Sequence, residues 1–342
     1  MKICRYLIYS LLLLPFGLKS QVKRDSIADR MLVYQLSNGG WPKQLDNKSA
    51  VNYDLPLTET LKTEIKNTGY LHATIDNRAT SREINYLVKA YQETGNKDYL
   101  AAAEKGIDFI LKAQYDNGGW PQYFPDKSIY RAEITYNDDA MINVLTILQN
   151  IATQKNGFDA VEKSYVPKAQ AAVQKGIDCI LKTQVVQNGT KTIWAAQYNQ
   201  ETLQPAKARA FEPASLSTSE SVGVVHFLMK IKKPTPEICE AIKCAVAWFD
   251  KNKIAGYNFE RVADSSMPKG FDVKLVPNAD GVVWARFYDL NSNQPIFGDR
   301  DNTIKTNLDD LIYERRTGYA WYGSWAKKLI RTEYSEWKLK YN

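Results

Sequence analysis

Apolar residues recur with helical spacing through most of the chain. One series is Ile84, Leu87, Val88 and Tyr91, and a second is Met141, Val144, Leu145 and Leu148. Both follow the i, i+3, i+4, i+7 pattern of a helix that buries one face. Most of the chain is therefore predicted to form amphipathic α-helices.

The C-terminal part of the chain has a different pattern. The segments Val273–Val276, Val282–Tyr288 and Pro295–Phe297 are strand-like and are separated by Pro, Gly, Asn and Asp residues. This arrangement is typical of short strands joined by turns. We therefore expect loop-rich and short β additions after Gly256.

The helical pattern also repeats. The segment Asp29–Pro42 resembles Gly106–Pro121, and both end in Asn-Gly-Gly-Trp-Pro. A third copy runs from Gly176 to Trp194, and a weaker fourth runs from Ala245 to Tyr257. The spacing of roughly seventy to eighty residues fits two helices per repeat. The fold predicted from this repeat is an all-α toroid of alternating inner and outer helices, in which the turn glycines supply left-handed helix caps.

Two short polar segments each precede a helical segment. They are Thr74–Thr80 and Ile134–Ala140, and both are rich in Asp and Asn. A carboxylate at a helix N-terminus can cap free backbone N–H groups. Two such segments could instead supply the oxygen ligands that Ca²⁺ prefers. The pattern leaves both interpretations open, and in the symmetric fold the two segments would lie at one rim.

The first twenty residues have the features of a secretory signal peptide. Lys2 and Arg5 precede the apolar run Leu7–Leu18, which is too short and wrongly flanked for a membrane span. We expect residues 1–20 to be removed, which leaves residues 21–342 as one large domain or two small ones. The product is expected to be secreted or periplasmic, monomeric, and free of the membrane after the signal is removed.

Charge and residue types narrow the possible functions. Removing Lys2, Arg5 and Lys19 lowers the net charge from +7 to +4, and no block of Lys and Arg remains. A nucleic-acid-binding protein would show such a block, whereas a mildly basic secreted protein suits a polyanionic substrate. The chain has two histidines, no Gly-x-Ser-x-Gly motif and no phosphate-binding glycine loop. Metal-assisted chemistry with carboxylates and arginines is what remains.

Arginines and aromatic residues alternate in three C-terminal segments. Arg286, Arg300 and the pair Arg315–Arg316 all have aromatic neighbours in the sequence. Arginine binds carboxylates bidentately, so these segments could form a surface for sugars that carry carboxylates. Earlier in the chain, Ser217 and Glu220 have the spacing of a helix capping box.

Eight motifs in order resemble the polysaccharide lyase family 10 pectate lyases. They are Asn38–Pro42, Ile75–Thr80, Asn117–Gln122, Ile134–Met141, Pro205–Glu212, Trp284–Leu290, Pro295–Asp301 and Arg315–Gly323. The resemblance extends from about Asp29 to Trp337. It implies an (α/α)3 toroid, a single catalytic domain over residues 21–342, and Ca²⁺-dependent cleavage of polygalacturonate by β-elimination.

The same resemblance implies a role for individual residues. Asp76, Asp138 and Asp139 would hold Ca²⁺, and Asn77 would lie next to the ion and the substrate. Arg300 would be the base that removes the C5 proton. Its neighbours Asp299 and Asp301 would favour the charged guanidinium if they approach it, which opposes a basic role. Substrate would be bound by Asn77, Lys207, Arg209, Arg286 and Tyr319.

Three other classes of protein fit parts of the pattern. The stretch Gln114–Trp120 resembles the Gln-Trp repeat of terpenoid cyclases, which also use helical toroids, but the Asp-x-Asp-Asp donor motif expected there is absent. A glycoside hydrolase on the same fold would use a paired acid and base or nucleophile and give saturated products. A non-catalytic polysaccharide-binding protein would show no Ca²⁺-dependent turnover.

Overall fold

The computed structural model describes residues 23–341, so the predicted signal peptide lies outside the described residues. Within this range the α-helices are α1 (Ser26–Tyr34), α2 (Glu59–Asn67), α3 (Ser81–Thr94), α4 (Lys97–Ala113), α5 (Ala140–Thr153), α6 (Tyr165–Thr183), α7 (Thr218–Met229), α8 (Pro236–Lys251), α9 (Tyr313–Thr317) and α10 (Tyr334–Tyr341). A π-helical turn, Leu329–Glu333, leads into α10. Among these residues no helix combines the length and the apolar character needed to cross a bilayer.

Helices α3 to α8 pack as three consecutive pairs, α3 with α4, α5 with α6 and α7 with α8. The helical periodicity in the sequence is confirmed, because Ile84 and Leu87 on α3 and Met141 and Leu145 on α5 are fully buried. These side chains belong to one large hydrophobic core. The buried faces hold the helix N-termini in fixed positions, and the polar segments Thr74–Thr80 and Ile134–Ala140 lead into two of them.

Strands form a substantial second part of the structure. They are β1 (Ile134–Thr135), β2 (Val186–Gln187), β3 (Thr190–Lys191), β4 (Gln197–Tyr198), β5 (Leu216–Ser217), β6 (Ile254–Ala263), β7 (Phe271–Ala285), β8 (Phe287–Tyr288), β9 (Pro295–Gly298), β10 (Ile304–Lys305) and β11 (Tyr322–Gly323). A four-stranded sheet has the order β10-β9-β8-β5, a three-stranded sheet has the order β11-β7-β6, and β1–β4 and β2–β3 are separate pairs. The strand pairs in these sheets are antiparallel.

The prediction of an all-α protein with an (α/α)3 toroid is wrong. Residues 23–341 are 47% helix and 17% strand, with several sheets. The predicted strand-like segments are present, but β6 and β7 form a hairpin far longer than a short addition. Its two strands pair from Ile254 with Val283 to Ala263 with Phe271. Helical periodicity is a local signal, whereas this pairing joins residues that lie up to about thirty positions apart.

The repeat marks a recurring tryptophan anchor. In each repeat the tryptophan indole N–H donates to a main-chain carbonyl of the preceding helix. Trp41 donates to Met31, Trp120 to Ile110 and Trp194 to Ile180. The fourth anchor is Trp284, which donates to the carbonyl of Phe249. The predicted fourth repeat, ending at Tyr257, was therefore wrong at its end, because the β6–β7 hairpin separates the helix from its tryptophan.

The turn glycines are required by the backbone, but they do not cap the helices. The residues that end α1 and α4 are Gln35 and Gln114, both extended. Gly118 follows later in the turn at φ +94°, and a Cβ there would lie 1.9 Å from the carbonyl oxygen of Lys175. The glycines predicted to be left-handed caps are therefore turn residues. Gly118 lies where its turn packs closely against α6.

Candidate active site

The two polar segments form neighbouring 3₁₀ turns, Asp76–Arg78 and Asn137–Asp139, which contact each other. Each contains a residue in the left-handed region, Asn77 at φ 48° and Asp138 at φ 51°. Neither Thr80, which precedes α3, nor Asp139, which precedes α5, accepts a capping hydrogen bond through its side chain. The capping interpretation is therefore wrong for these segments. Backbone strain at such positions is typical of functional sites.

A small polar cavity of about 60 Å³ lies between the turns. Its walls carry both carboxylates and cations. The lining residues are Lys43, Asp76, Asn77, Gln122, Tyr130, Asn137, Asp138, Arg209 and Glu212.

Asp76 is the most buried acid of the two turns, with 3% of its surface exposed. One carboxylate oxygen, Oδ2, pairs with the ammonium group of Lys43. The other, Oδ1, is buried and has no hydrogen-bond partner, and the same is true of Oε1 of Gln122. A buried oxygen without a hydrogen-bond donor is costly, so these two oxygens are suited to binding a metal ion.

Asp138 faces the same cavity and is held from one side by a cation. Its Oδ2 accepts a hydrogen bond of 2.9 Å from the amide of Asn137, and its Oδ1 lies 3.7 Å from Nη2 of Arg286. Burial raises the pKa of Asp138, and the charges of Asp76 and Glu220 raise it further, while Arg286 lowers it. The two carboxylates thus repel each other across the cavity, as expected for a site that binds a cation.

Asp139 is directed elsewhere. Its Oδ1 lies against Gly223 on α7, where a Cβ would approach it to 1.9 Å, and Asp139 does not line the cavity. Burial raises its pKa to about 6, with Glu220 and Asp138 adding to the effect.

Arg209 enters the cavity wall together with Glu212. Nε of Arg209 donates to Oε2 of Glu212 at 2.8 Å, and Nη2 donates to Oε1. The hydroxyl of Tyr319 donates to the same Oε1 at 3.0 Å. The hydrogen bonds that Arg209 donates to Glu212 raise the pKa of Arg209, because they stabilise the charged guanidinium.

Arg286 is the most deeply placed of the predicted substrate-binding cations. Only 12% of its side chain is exposed, and Nη2 pairs with the buried carboxylate of Glu220. The guanidinium lies 5.0 Å from the ring centre of Tyr319. Burial opposes its charge, but Glu220, Tyr319 and Asp138 together raise its pKa.

Arg300 lies outside the cavity wall. Its Nε and Nη2 donate to the two oxygens of Glu314 at 3.0 and 2.9 Å, and about half of each side chain is exposed. Asp299 accepts from main-chain N–H groups and Asp301 from Thr303, so neither meets the guanidinium. The hydrogen bonds that Arg300 donates to Glu314 are the main reason why the pKa of Arg300 is raised.

One aromatic ring connects Arg300 to the cavity. The guanidinium carbons of Arg209, Arg300 and Arg315 lie 4.7, 5.3 and 4.2 Å from the ring centre of Phe211. Arg315 is buried, which lowers its pKa. The structure therefore brings Asp76, Asn77, Asp138 and Arg209 to one cavity. Arg286 contacts Asp138 and Tyr319 contacts Glu212, so both border the cavity. Arg300 does not line it and lies near Phe211, and Lys207 is exposed.

The donor set fits calcium in type. Asp76, Asp138, Asn77 and Gln122 offer only carboxylate and amide oxygens, which are the ligands of a hard cation. Within residues 23–341, no three His, Cys, Asp or Glu side chains are grouped as a metal site. Because Ca²⁺ takes six to eight oxygens, two carboxylates need amide, water or substrate oxygens beside them.

Comparison with known proteins gives a clear result. The profile of the family described as pectic acid lyase matches residues 35–330. The chain belongs to the pectic acid lyase family. A family 10 polysaccharide lyase from Cellvibrio cellulosa is 38% identical, covers 91% of each chain and has a TM-score of 0.78. An aspartate-to-alanine mutant of the Cellvibrio family 10 lyase, in complex with trigalacturonic acid, is also 38% identical, with 91% of this chain and 92% of the other covered and a TM-score of 0.79. No curated protein matched the sequence.

The predicted family and the prediction of a pectate lyase are thereby confirmed. Four residues that shape this lyase's site were not predicted from the sequence: Lys43, Gln122, Glu212 and Glu220. Glu212 had a local signal, since it follows Arg209 by three residues. Glu220 was assigned to a capping box with Ser217, but the Ser217 hydroxyl donates to the carboxylate of Glu220 and the side chain caps no backbone N–H. The partner of Glu220, Arg286, lies 66 residues away.

Proposed function

We propose that this lyase cleaves α-1,4-linked polygalacturonate by Ca²⁺-dependent β-elimination in the cavity between the two turns. The observation that carries the proposal is the convergence of Asp76, Asp138 and Arg209 on one polar cavity. The related Cellvibrio lyase in complex with trigalacturonic acid supports a galacturonate substrate. Secretion, and action as a monomer, are part of the same proposal.

Asp76 and Asp138 would hold the calcium ion, with the amide oxygens of Asn77 and Gln122 beside them. The unpartnered Oδ1 of Asp76 and Oε1 of Gln122 support this assignment. Bound there, Ca²⁺ would supply positive charge next to the galacturonate carboxylate and make the C5 proton more acidic. Asp139 would act from outside this set, since its carboxylate packs against α7.

The reaction needs a base for C5 and a cation for the carboxylate. Removal of the C5 proton spreads additional negative charge onto the carboxylate. This electron pair then forms the C4–C5 double bond of the unsaturated uronide as the bond from C4 to the glycosidic oxygen breaks, and the leaving oxygen takes a proton from water. Arg286, buried beside Asp138, would stabilise that negative charge. An arginine would accept the C5 proton.

Two arginines are candidates for the base. The family resemblance implies Arg300, whereas the geometry favours Arg209. Arg209 lines the cavity, while Arg300 does not line it and is paired with Glu314. Glutamates raise the pKa of both guanidiniums. Either base would therefore gain its neutral fraction only as the pH rises, so activity should increase into the alkaline range.

The test is the ultraviolet absorbance of the unsaturated uronide, measured while purified protein acts on polygalacturonate at mildly alkaline pH. We expect the absorbance to rise with Ca²⁺ and to stop rising when a chelator is added. New reducing ends without this absorbance would instead identify a glycoside hydrolase. No product at all would indicate a polysaccharide-binding protein.

Variants then separate the two arginines. Arg209→Ala and Arg300→Ala are compared for turnover and for binding of trigalacturonic acid. The base should lose turnover by several orders of magnitude and still bind, whereas an arginine that only binds substrate should raise KM. Near-normal turnover in Arg300→Ala would remove its assignment as base. Asp138→Ala should raise the Ca²⁺ concentration needed for half-maximal rate, and an unchanged value would place the ion elsewhere.

A further inference from the structure

Glu212 is a buried carboxylate in the cavity wall that the reaction described above does not use. Only 4% of its surface is exposed. Oε2 accepts from Nε of Arg209 and from its main-chain N–H at 3.2 Å, and Oε1 accepts from Nη2 of Arg209 and from the Tyr319 hydroxyl. Both oxygens are thus satisfied from within the protein.

These contacts leave a defined part of Arg209 free. A guanidinium has two edges that can bind a carboxylate through two hydrogen bonds. One edge is formed by Nε and Nη2 and the other by Nη1 and Nη2. Glu212 occupies the first edge, and Nη1 makes no hydrogen bond to any residue among 23–341. Since Arg209 lines the cavity and 47% of its side chain is exposed, Nη1 is the part left for a substrate.

We infer that Glu212 is a positioning residue of the lyase, which fixes the guanidinium plane of Arg209 so that its Nη1 edge is presented to galacturonate. Tyr319 contributes to this positioning, because its hydroxyl donates to Glu212 and fixes the orientation in which Glu212 accepts from Arg209. The inference rests on the proposed function, because it assumes that galacturonate reacts in this cavity.

The arrangement is more specific than a stabilising ion pair. Another bidentate pair, Arg316 with Asp272, has bonds of 2.9 and 3.0 Å and is also buried. It lies in the β6–β7 hairpin region and lines no part of the cavity. Breaking either pair should destabilise the fold, but only loss of the Glu212 pair should change how Arg209 meets the substrate.

The experiment compares Glu212→Gln with Asp272→Asn. The glutamine keeps the size of Glu212 but places an N–H₂ group against one donor of Arg209, which turns the guanidinium. We expect kcat to fall about 100-fold in Glu212→Gln, the effect of a small misplacement of a reacting group, with KM changed less than about threefold. The rising limb of the pH profile should move to lower pH, because the charge that raises the pKa of Arg209 is gone. Asp272→Asn should keep the wild-type pH profile.

The outcomes are separable. A wild-type protein that forms no unsaturated uronide refutes the proposed function. An active wild type whose Glu212→Gln variant keeps kcat within twofold and the same pH profile overturns the inference alone. If Glu212→Gln does not fold, as judged by circular dichroism, Tyr319→Phe replaces it, because it removes one hydrogen bond to Glu212 and nothing else from that carboxylate. It should lower kcat by a smaller factor with KM changed less than about threefold, because Glu212 keeps its charge but loses a contact that orients it. An unchanged kcat would overturn the inference.

Discussion

Replacing Arg286 by methionine removes the cation that neutralises Glu220. In the native protein only 12% of the Arg286 side chain and 1% of the Glu220 side chain are exposed. Methionine fills similar space without charge, so Glu220 would keep the hydroxyl of Ser217 as its remaining donor. We expect the variant to be strongly destabilised, since an unpaired buried carboxylate is left behind.

The magnitudes follow from what each partner retains. Loss of one member of a buried ion pair costs about 3 to 5 kcal/mol in the free energy of unfolding, and Arg286→Met should fall in that range. Glu220→Gln should cost less, about 1 to 3 kcal/mol, because Arg286 still has Asp138 at 3.7 Å and the ring of Tyr319. The double variant should cost less than the sum of the two, because neither charge is then left alone.

Urea unfolding followed by tryptophan fluorescence, with a chelator present, measures these values without a contribution from bound ions. The control is the exposed pair Lys62–Glu59, whose side chains are 46% and 90% exposed and whose loss should cost less than about 1 kcal/mol. The reasoning is refuted if Arg286→Met costs no more than removal of the exposed pair, or if the two single effects simply add.

Three further predictions concern the scaffold and its thiols. Gly118→Ala should lower the free energy of unfolding by at least about 2 kcal/mol, because φ is +94° and the new Cβ meets the Lys175 carbonyl. Gly95→Ala, at φ +72° in open space, should lower it by about 1 kcal/mol. Urea unfolding measures both values. The pKa of Asp139 is raised to about 6, so its favourable contribution is present at low pH and lost as the pH rises through 6. Asp139→Asn should therefore be more stable than wild type at about pH 8, by about 1 kcal/mol after screening at this exposed position, and equal to it at about pH 3. Burial raises the pKa of the Cys179 thiol to about 12, so iodoacetamide should modify it only after unfolding, as mass spectrometry of the labelled peptide would show.

Local signals in the sequence predicted the helices well. The face of α5 that carries Met141 and Leu145 is buried as its period requires, and the strand-like segment Val282–Tyr288 falls within β7 and β8. The fold class was nevertheless wrong, because the segment after Gly256, predicted to hold only loops and short β additions, forms the long β6–β7 hairpin. Repeats show which units recur, but they give no information about an insertion inside one of them.

The residues predicted for the site and those that were missed differ in what they contact. Asp76, Asp138 and Arg209 face the cavity, and the motifs that contain them were visible in the sequence. Glu212 also lines the cavity, but the side chains of Glu212 and Glu220 are bound to other residues of the protein. Each neutralises an arginine, and each accepts a hydrogen bond from a residue far away in the sequence. Tyr319 lies 107 residues from Glu212, and Arg286 lies 66 residues from Glu220.

Such partners escape prediction for a physical reason. A glutamate next to a helix start has a local explanation as a cap, and nothing in its own segment shows that a cation arrives from elsewhere. Once the chain is folded, burial makes that cation necessary, because a desolvated carboxylate without one would be severely destabilising. The arginines of this site are therefore held by acids before any galacturonate binds. Each has only part of its guanidinium left for the substrate, and which part that is depends on the acids rather than on the arginines alone.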